Sequence, residues 1–232
     1  MRKNTHKPIA YILAGLVLFS LLGLEFPVFF LSRLVDGREA SQVFSWPVNW
    51  YGAVFHWVLT MAVWMAGAYL IYRWVSKQGT MPDLMRFNFT RRDGMWLAVG
   101  LIFLILIEST LSRISAVALP QIWREYCGFQ NMYGQQAWIV SIFQNLYYLV
   151  EFVLVVMMVA FFQFGGELWF KARWFPWGGI GLALTWGSIH LVTNPQGAVW
   201  VVVWALVLGV LFVLSKKGFL PTWLVGVLSF VI

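Results

Sequence analysis

The stretch QNLYYLVEFVLVVMMVAFFQFGG, residues 144–166, decides the fold, because it is an apolar run long enough to cross a bilayer. It has one carboxylate, Glu151, near its middle. A second stretch, PWGGIGLALTWGSIHLVTN, residues 176–194, has one imidazole, His190. An ionisable side chain in an apolar helix costs several kcal/mol, so each residue is a hypothesis for a functional site. The structural alternatives are a protonated Glu151 bonded to a neighbouring helix and a neutral His190 at a packing contact.

The composition predicts an all-α fold, a polytopic transmembrane helical bundle. Of the 232 residues, 61% are hydrophobic and 19% aromatic, whereas a soluble domain is about half apolar. A bundle in lipid has no separate aqueous core, so residues 1–232 are expected to form a single integral membrane domain. The single cysteine, Cys127, excludes an internal disulfide and a cysteine-based metal cluster.

About seven spans are predicted from the apolar runs and the turn signals between them. The fourth lies between two predicted loops, 118–135 and 165–177, and Lys216 to Gly218 form a tight turn before the last span. The other six are expected at about 9–34, 49–75, 94–117, 177–194, 197–214 and 219–232.

The basic residues predict the orientation. The net charge is +7, but the basic residues lie at the ends of apolar runs and form no arm for nucleic acid, so no nucleic-acid partner is expected. With the N-terminus inside, twelve Lys and Arg residues fall on inner segments and four on outer segments. This asymmetry predicts an N-terminus inside and a C-terminus outside. The four outer residues are Arg33, Arg38, Arg113 and Arg124.

Three polar or special residues in the first two spans are given structural roles. Pro27 predicts a kink in the first span, and Glu25 is expected to reach toward the interface. His56 lies among Trp50, Tyr51 and Trp57, where an aromatic belt at the membrane surface is expected.

Helix geometry predicts that three ionisable residues lie near one depth. At about 1.5 Å per residue, Glu151 lies roughly 18 Å from the inner end of its helix, His190 roughly 20 Å and Glu108 of the third span roughly 21 Å. Gln144 and Tyr148 share a helix stripe with Glu151, and Trp186 and Asn194 share a face with His190. These five residues, Glu108, Gln144, Tyr148, Trp186 and Asn194, are the predicted supporting residues.

A Glu–His pair at this depth could hold a proton, or Glu151 could act as general base on water while His190 or an Asn stabilises an oxyanion. Glu108, Glu151 and His190 could also bind a divalent metal. Only one His lies at that depth and no HExxH is present, so neither a metal nor another cofactor is predicted.

The chain resembles the CPBP family, the membrane proteins related to the CAAX-prenyl endopeptidase and the Abi bacteriocin-immunity proteins. The resemblance covers about residues 86–232 and includes the basic linker FNFTRRDGMWLAVG. The family's aromatic-x-x-x-His motif matches Trp186 and His190. Its Glu-Glu pair followed by Arg is reduced to Glu151, and the last helix has no His for the third motif. The resemblance implies that Glu151 activates water and that His190 stabilises the oxyanion.

Three functions stay open at this point. The first is a glutamic-type intramembrane endopeptidase that uses Glu151 and His190. The second is a catalytically silent homologue whose membrane cavity binds a partner helix, a peptide or a lipid. The third is a proton-coupled transport component. The expected partners are membrane lipid and a membrane peptide or protein, and the predicted location is the plasma membrane of a bacterium or archaeon.

Overall fold

A computed structural model describes residues 7–38, 46–115, 121–193 and 198–231, and side chains within 7–38, 46–107, 121–191 and 199–229. This part of the chain is all-helical: helix makes up 86% and no strand is present. In chain order the α-helices are α1 Pro8–Leu22, α2 Glu25–Asp36, α3 Trp50–Gln78, α4 Met81–Leu84, α5 Arg91–Ser115, α6 Gln121–Tyr133, α7 Ala137–Phe170, α8 Trp177–Leu182, α9 Ser188–Thr193, α10 Ala198–Leu214 and α11 Phe219–Val231. A 3₁₀ turn, Gly134–Gln136, joins α6 to α7, and a π-helix, Ala183–Gly187, joins α8 to α9.

Helix α7 is the centre of the bundle. It has 34 residues, and α1, α3, α6, α8, α10 and α11 all pack against it. Every residue from Leu154 to Glu167 is buried. Burial on all sides explains why this stretch is apolar without a polar stripe. Residues 144–166, the first of the two stretches around which the chain was predicted to be organised, therefore lie in the central helix.

The predicted loop at 165–177 begins too early, because α7 continues to Phe170. Gly165 and Gly166 let two neighbours approach the helix closely instead of ending it. A Cβ on Gly165 would lie 2.8 Å from Ile12 Cγ1, and one on Gly166 would lie 2.3 Å from Trp177 Cγ. The helix ends where Lys171 adopts a left-handed conformation, with φ 57°.

The predicted loop at 118–135 is wrong for residues 121–133, which form α6. Of the turn signals there, Gly134 has a positive φ of 57° and reverses the chain so that α6 packs along α7. Gly128 lies inside α6, and Cys127 lies half-buried on the same helix. Pro120 lies outside the described residues.

The first predicted span consists of two helices, and the break at Gly23 and Leu24 precedes Pro27. Proline has no N–H to donate to the carbonyl four residues earlier, which here is Gly23. That carbonyl accepts a bond from the Phe26 N–H at 3.2 Å instead. The kink predicted from Pro27 therefore appears one turn earlier.

The remaining predicted helices match α3, α5, α8 with α9, α10 and α11, with ends shifted by at most three residues. The tight turn before α11 is confirmed, with Lys216 at φ 52° and Lys217 at φ 63°. It is joined to the segment before α5: the Arg86 N–H donates to the Lys217 carbonyl at 2.7 Å, and the Phe219 N–H donates to the Arg86 carbonyl at 2.8 Å.

Three helical stretches of the described chain are long and apolar enough to cross a membrane. They are Pro8–Asp36, Trp50–Gln78 and Gln121–Phe170, and α10 and α11 are shorter apolar helices. These lengths support a membrane protein.

Candidate functional site

Glu151 and His190 both contact Trp186, and no hydrogen bond or ion pair between the two is found among the described side chains. The Trp186 Nε1–H donates to Glu151 Oε1 at 3.2 Å, and His190 Nδ1 lies 2.8 Å from the Trp186 carbonyl oxygen. The Trp186 and His190 ring centroids are 4.6 Å apart, so their predicted shared face is confirmed. Within the described side chains, the expected direct Glu151–His190 contact is replaced by a bridge through Trp186.

The π-helix Ala183–Gly187 aims the Trp186 side chain at α7. A turn of π-helix holds about one residue more than a turn of α-helix. The side chains in and after it therefore point in different directions from those of a continuous α-helix. Thr185 and Trp186 are buried in this segment, whereas Leu184 is 72% exposed. The wider turn therefore places the indole inside the bundle, next to Glu151.

The hydrogen bond at His190 fixes its tautomer. A carbonyl oxygen can only accept, so Nδ1 carries the hydrogen in the contact with Trp186. In the neutral ring, Nε2 is then an acceptor. Neutral His190 can take a proton through Nε2 but cannot donate one to an oxyanion there.

Two residues of the stripe predicted on α7, Gln144 and Tyr148, are joined by a hydrogen bond. Gln144 Nε2 donates to Tyr148 Oη at 2.9 Å, and that hydroxyl donates to Glu125 Oε1 on α6 at 2.7 Å. Gln121 Nε2 donates to the same Glu125 oxygen at 2.9 Å. The hydroxyl of Tyr148 therefore joins α7 to α6. The sequence interpretation missed Glu125, because it treated residues 121–133 as a loop.

A second acid–imidazole pair lies elsewhere in the bundle. Glu25 Oε1 is 3.2 Å from His56 Nε2, and Glu25 Oε2 accepts a bond from Tyr147 Oη at 2.9 Å. This junction joins α2, α3 and α7. The Glu25 side chain keeps 32% of its surface exposed. It was expected to reach toward the interface, but it also bonds to side chains inside the bundle.

His56 is fully buried, and its ring packs edge-on against Phe29, Trp46 and Trp57. Trp57 is the predicted neighbour among these contacts, and His56 lies inside the bundle instead of at an exposed aromatic belt. The carboxylate contact adds a polar role to this packing role. His56 Nδ1 has no hydrogen-bond partner in the part of the chain that the structure describes. An ionisable residue in each of two apolar helices is the signal that could have identified this pair from the sequence.

Two predicted supporting residues cannot be placed in the site. Glu108 lies on α5, but its side chain is outside the described side chains, and Asn194 lies outside the described residues. Among the described residues, no three His, Cys, Asp or Glu side chains are close enough together to hold a metal ion.

An open groove of about 600 Å³ lies between α6 and the N-terminal part of α7, and Val227 of α11 also lines it. Its walls are mostly apolar, and Ser141 and Asn145 are the polar residues among them. Ser141 Oγ is buried and has no partner among the described residues. The other residues that line it are Ile122, Trp123, Tyr126, Trp138, Ile142, Leu146 and Leu149.

Comparison of the chain with protein-family models, with curated proteins and with solved structures gives no match.

Proposed function

We propose that the chain is a divergent, catalytically silent member of the CPBP family that binds an apolar partner helix, peptide or lipid within the membrane. The family resemblance rests on Glu151, Trp186 and His190 in their order along the chain. The partner Glu, the Arg and the third-motif His of the family are missing.

The observation that carries this proposal is the position of Trp186 between the acid and the imidazole. The indole N–H donates a hydrogen bond to one Glu151 oxygen, and the Trp186 carbonyl accepts a hydrogen bond from His190 Nδ1. A general base and an oxyanion donor must both reach one reacting carbonyl and its attacking water. The engagement of one Glu151 oxygen and of His190 Nδ1 by Trp186 supports a binding role over catalysis.

The groove supports binding as the alternative to catalysis. Its volume of about 600 Å³ lies within the range of sites for small ligands, and its walls expose apolar side chains such as Ile142 and Trp138. An exposed apolar groove on a membrane protein is a contact surface for hydrocarbon or for another apolar helix.

The proposal includes the topology inferred from the sequence. The chain crosses the plasma membrane of a bacterium or archaeon about seven times, with its N-terminus inside and its C-terminus outside. The charge asymmetry of the connecting segments supports this arrangement.

The test combines a cleavage assay with crosslinking in nanodiscs. Purified protein is incubated with a library of membrane peptides, and a photo-crosslinking residue is placed at Ile142 in the groove. We expect no cleavage and a specific crosslinked partner at Ile142. The matched control is a crosslinker at Leu184, which is 72% exposed outside the groove and should capture only bulk lipid.

Cleavage that disappears in Glu151→Gln would establish the endopeptidase instead. Identical crosslinking patterns at Ile142 and Leu184 would remove the groove as a binding site.

A further inference from the structure

The segment WFKARWFPW, residues 169–177, joins α7 to α8 and presents aromatic and basic side chains together. Trp174 is 76% exposed, and Trp169 and Phe170 are 53% and 56% exposed. Lys171 and Arg173 are exposed between them. A turn with this much uncovered apolar surface indicates contact with something outside the bundle.

The backbone of this turn is held in place from inside the protein. The Trp177 Nε1–H donates to the Ala172 carbonyl at 3.0 Å, and Gln163 Nε2 donates to the Phe175 carbonyl at 2.9 Å. The Phe170 and Trp177 rings stack with centroids 4.3 Å apart. The inner side of the turn is therefore fixed, and the exposed side chains project outward from a defined position.

The two cations of the turn have no carboxylate partner among the side chains that the structure describes. Lys171 and Arg173 form no ion pair within the described part of the chain. The nearest carboxylate in sequence, Glu167, is buried and is already bound by Lys217 Nζ at 2.7 Å and by Gln163 Nε2 at 3.0 Å. The turn thus carries two positive charges that are available to an external anion.

We propose that this turn is a binding site for the headgroup of an anionic phospholipid. Lys171 and Arg173 contact the lipid phosphate, and Trp174 lies among the headgroups beside it.

Two features favour lipid over an acidic protein. The turn follows an apolar helix at its membrane end, and tryptophan is enriched at the boundary between hydrocarbon and water. Lys and Arg at that level are attracted to anionic lipids, and each contributes a preference of about fivefold at low salt. The indole of the turn suits the depth of the lipid headgroups, and the two cations suit their negative charge.

The test measures which lipid lies next to the turn. In a Cys127→Ser background, Trp169→Cys carries a fluorophore, and the protein is placed in phosphatidylcholine nanodiscs. Either phosphatidylglycerol or phosphatidylcholine with a nitroxide near its headgroup is then added as the quencher. We expect phosphatidylglycerol to quench up to about 25-fold more effectively, because two fivefold preferences multiply, and we expect this preference to fall as salt is added.

Lys171→Gln with Arg173→Gln should bring the two quenching efficiencies close to equality, and Arg173→Gln alone should lower the preference about fivefold. Trp174→Ala should weaken quenching by both lipids. The matched control, Arg124→Gln, removes an exposed cation on α6 and should leave the preference unchanged.

Equal quenching by the two lipids when the labelled turn keeps both cations, or a preference that survives loss of both cations, would overturn the lipid site. Quenching by a water-soluble nitroxide and by neither lipid would place the turn in water and favour an acidic protein partner.

Discussion

Trp186 links two predicted site residues, so its indole N–H is the first group to test at the scale of single residues. In Trp186→Phe, the buried Glu151 loses its hydrogen-bond donor, and we expect a loss of about 1–3 kcal/mol in the free energy of unfolding in detergent. Trp186→Phe combined with Glu151→Leu should recover most of that loss, because no acceptor is then left unsatisfied.

The matched control is Trp204→Phe, which removes an indole donor from Ser229 Oγ. Ser229 keeps its own bond to the Gly226 carbonyl, so the loss should be smaller. Equal losses in the two tryptophan variants would show that the hydrogen bond to Glu151 stabilises the protein no more than the bond to Ser229.

Glu25 and His56 form an acid–imidazole contact between α2 and α3. In a double-mutant cycle with Glu25→Gln and His56→Gln, we expect a coupling of about 0.5–3 kcal/mol in the free energy of unfolding, because the two side chains are in direct contact inside the bundle. His56→Gln combined with Trp204→Phe serves as a control and should be additive within about 0.5 kcal/mol. Additivity in the first cycle would mean that the contact contributes nothing.

Asp93, ahead of the apolar part of α5, gives a pH-dependent prediction. Burial alone would raise the pKa of this carboxyl, but hydrogen bonds from Arg86 and Thr90 outweigh it and hold the pKa below its usual value. A carboxyl whose pKa is depressed on folding stabilises the protein above its unfolded pKa, and the effect is lost as pH falls through the folded pKa.

We therefore expect Asp93→Asn to lower the unfolding midpoint at neutral pH. The difference from the unaltered protein should shrink as the pH falls below the range of an ordinary aspartate. A difference that stays constant into strong acid would contradict this assignment.

At the scale of helices, the crossing of α8 and α10 depends on two glycines in contact. A Cβ on Gly209 would lie 2.3 Å from Gly179 Cα, and a backbone atom cannot move aside as a side chain can. We expect Gly209→Ala to reduce the free energy of unfolding by about 1–3 kcal/mol or more. Gly128→Ala is the matched control: no atom lies within 4 Å of its added Cβ, so alanine should stabilise α6 by up to about 1 kcal/mol.

If Gly209→Ala is tolerated as well as Gly128→Ala, the two helices do not cross at this distance in the membrane.

For the whole molecule, the proposed topology predicts which segments can be reached from each side. In a Cys127→Ser background, Val48→Cys should react with an impermeant maleimide from outside intact cells. Lys77→Cys should react only after the cells are opened, because α3 joins these two positions across the bilayer. Both residues are exposed, so burial does not explain a difference. Labelling of both positions from outside would contradict the orientation.

The length of α7 changes the predicted depth of Glu151. The residue lies 19 positions before the helix end at Phe170, roughly 28 Å at about 1.5 Å per residue, instead of the roughly 18 Å expected from the sequence. Glu151 also lies 14 positions after the first residue of α7, Ala137, so it remains near the middle of this longer helix. The glycine pair Gly165 and Gly166 caused the underestimate, because it resembles a turn but serves close packing.

The sequence by itself determined the helical class, the central position of residues 144–166 and the turn at Lys216 and Lys217. Apolar runs must satisfy their backbone hydrogen bonds locally, so their positions can be predicted from composition and length. Only the tertiary structure decided that Glu25 meets His56, 31 residues away, and that Glu151 meets Trp186, 35 residues away. These pairings depend on how each helix is rotated about its axis, and a helix that is apolar on all sides carries no local pattern that fixes that rotation.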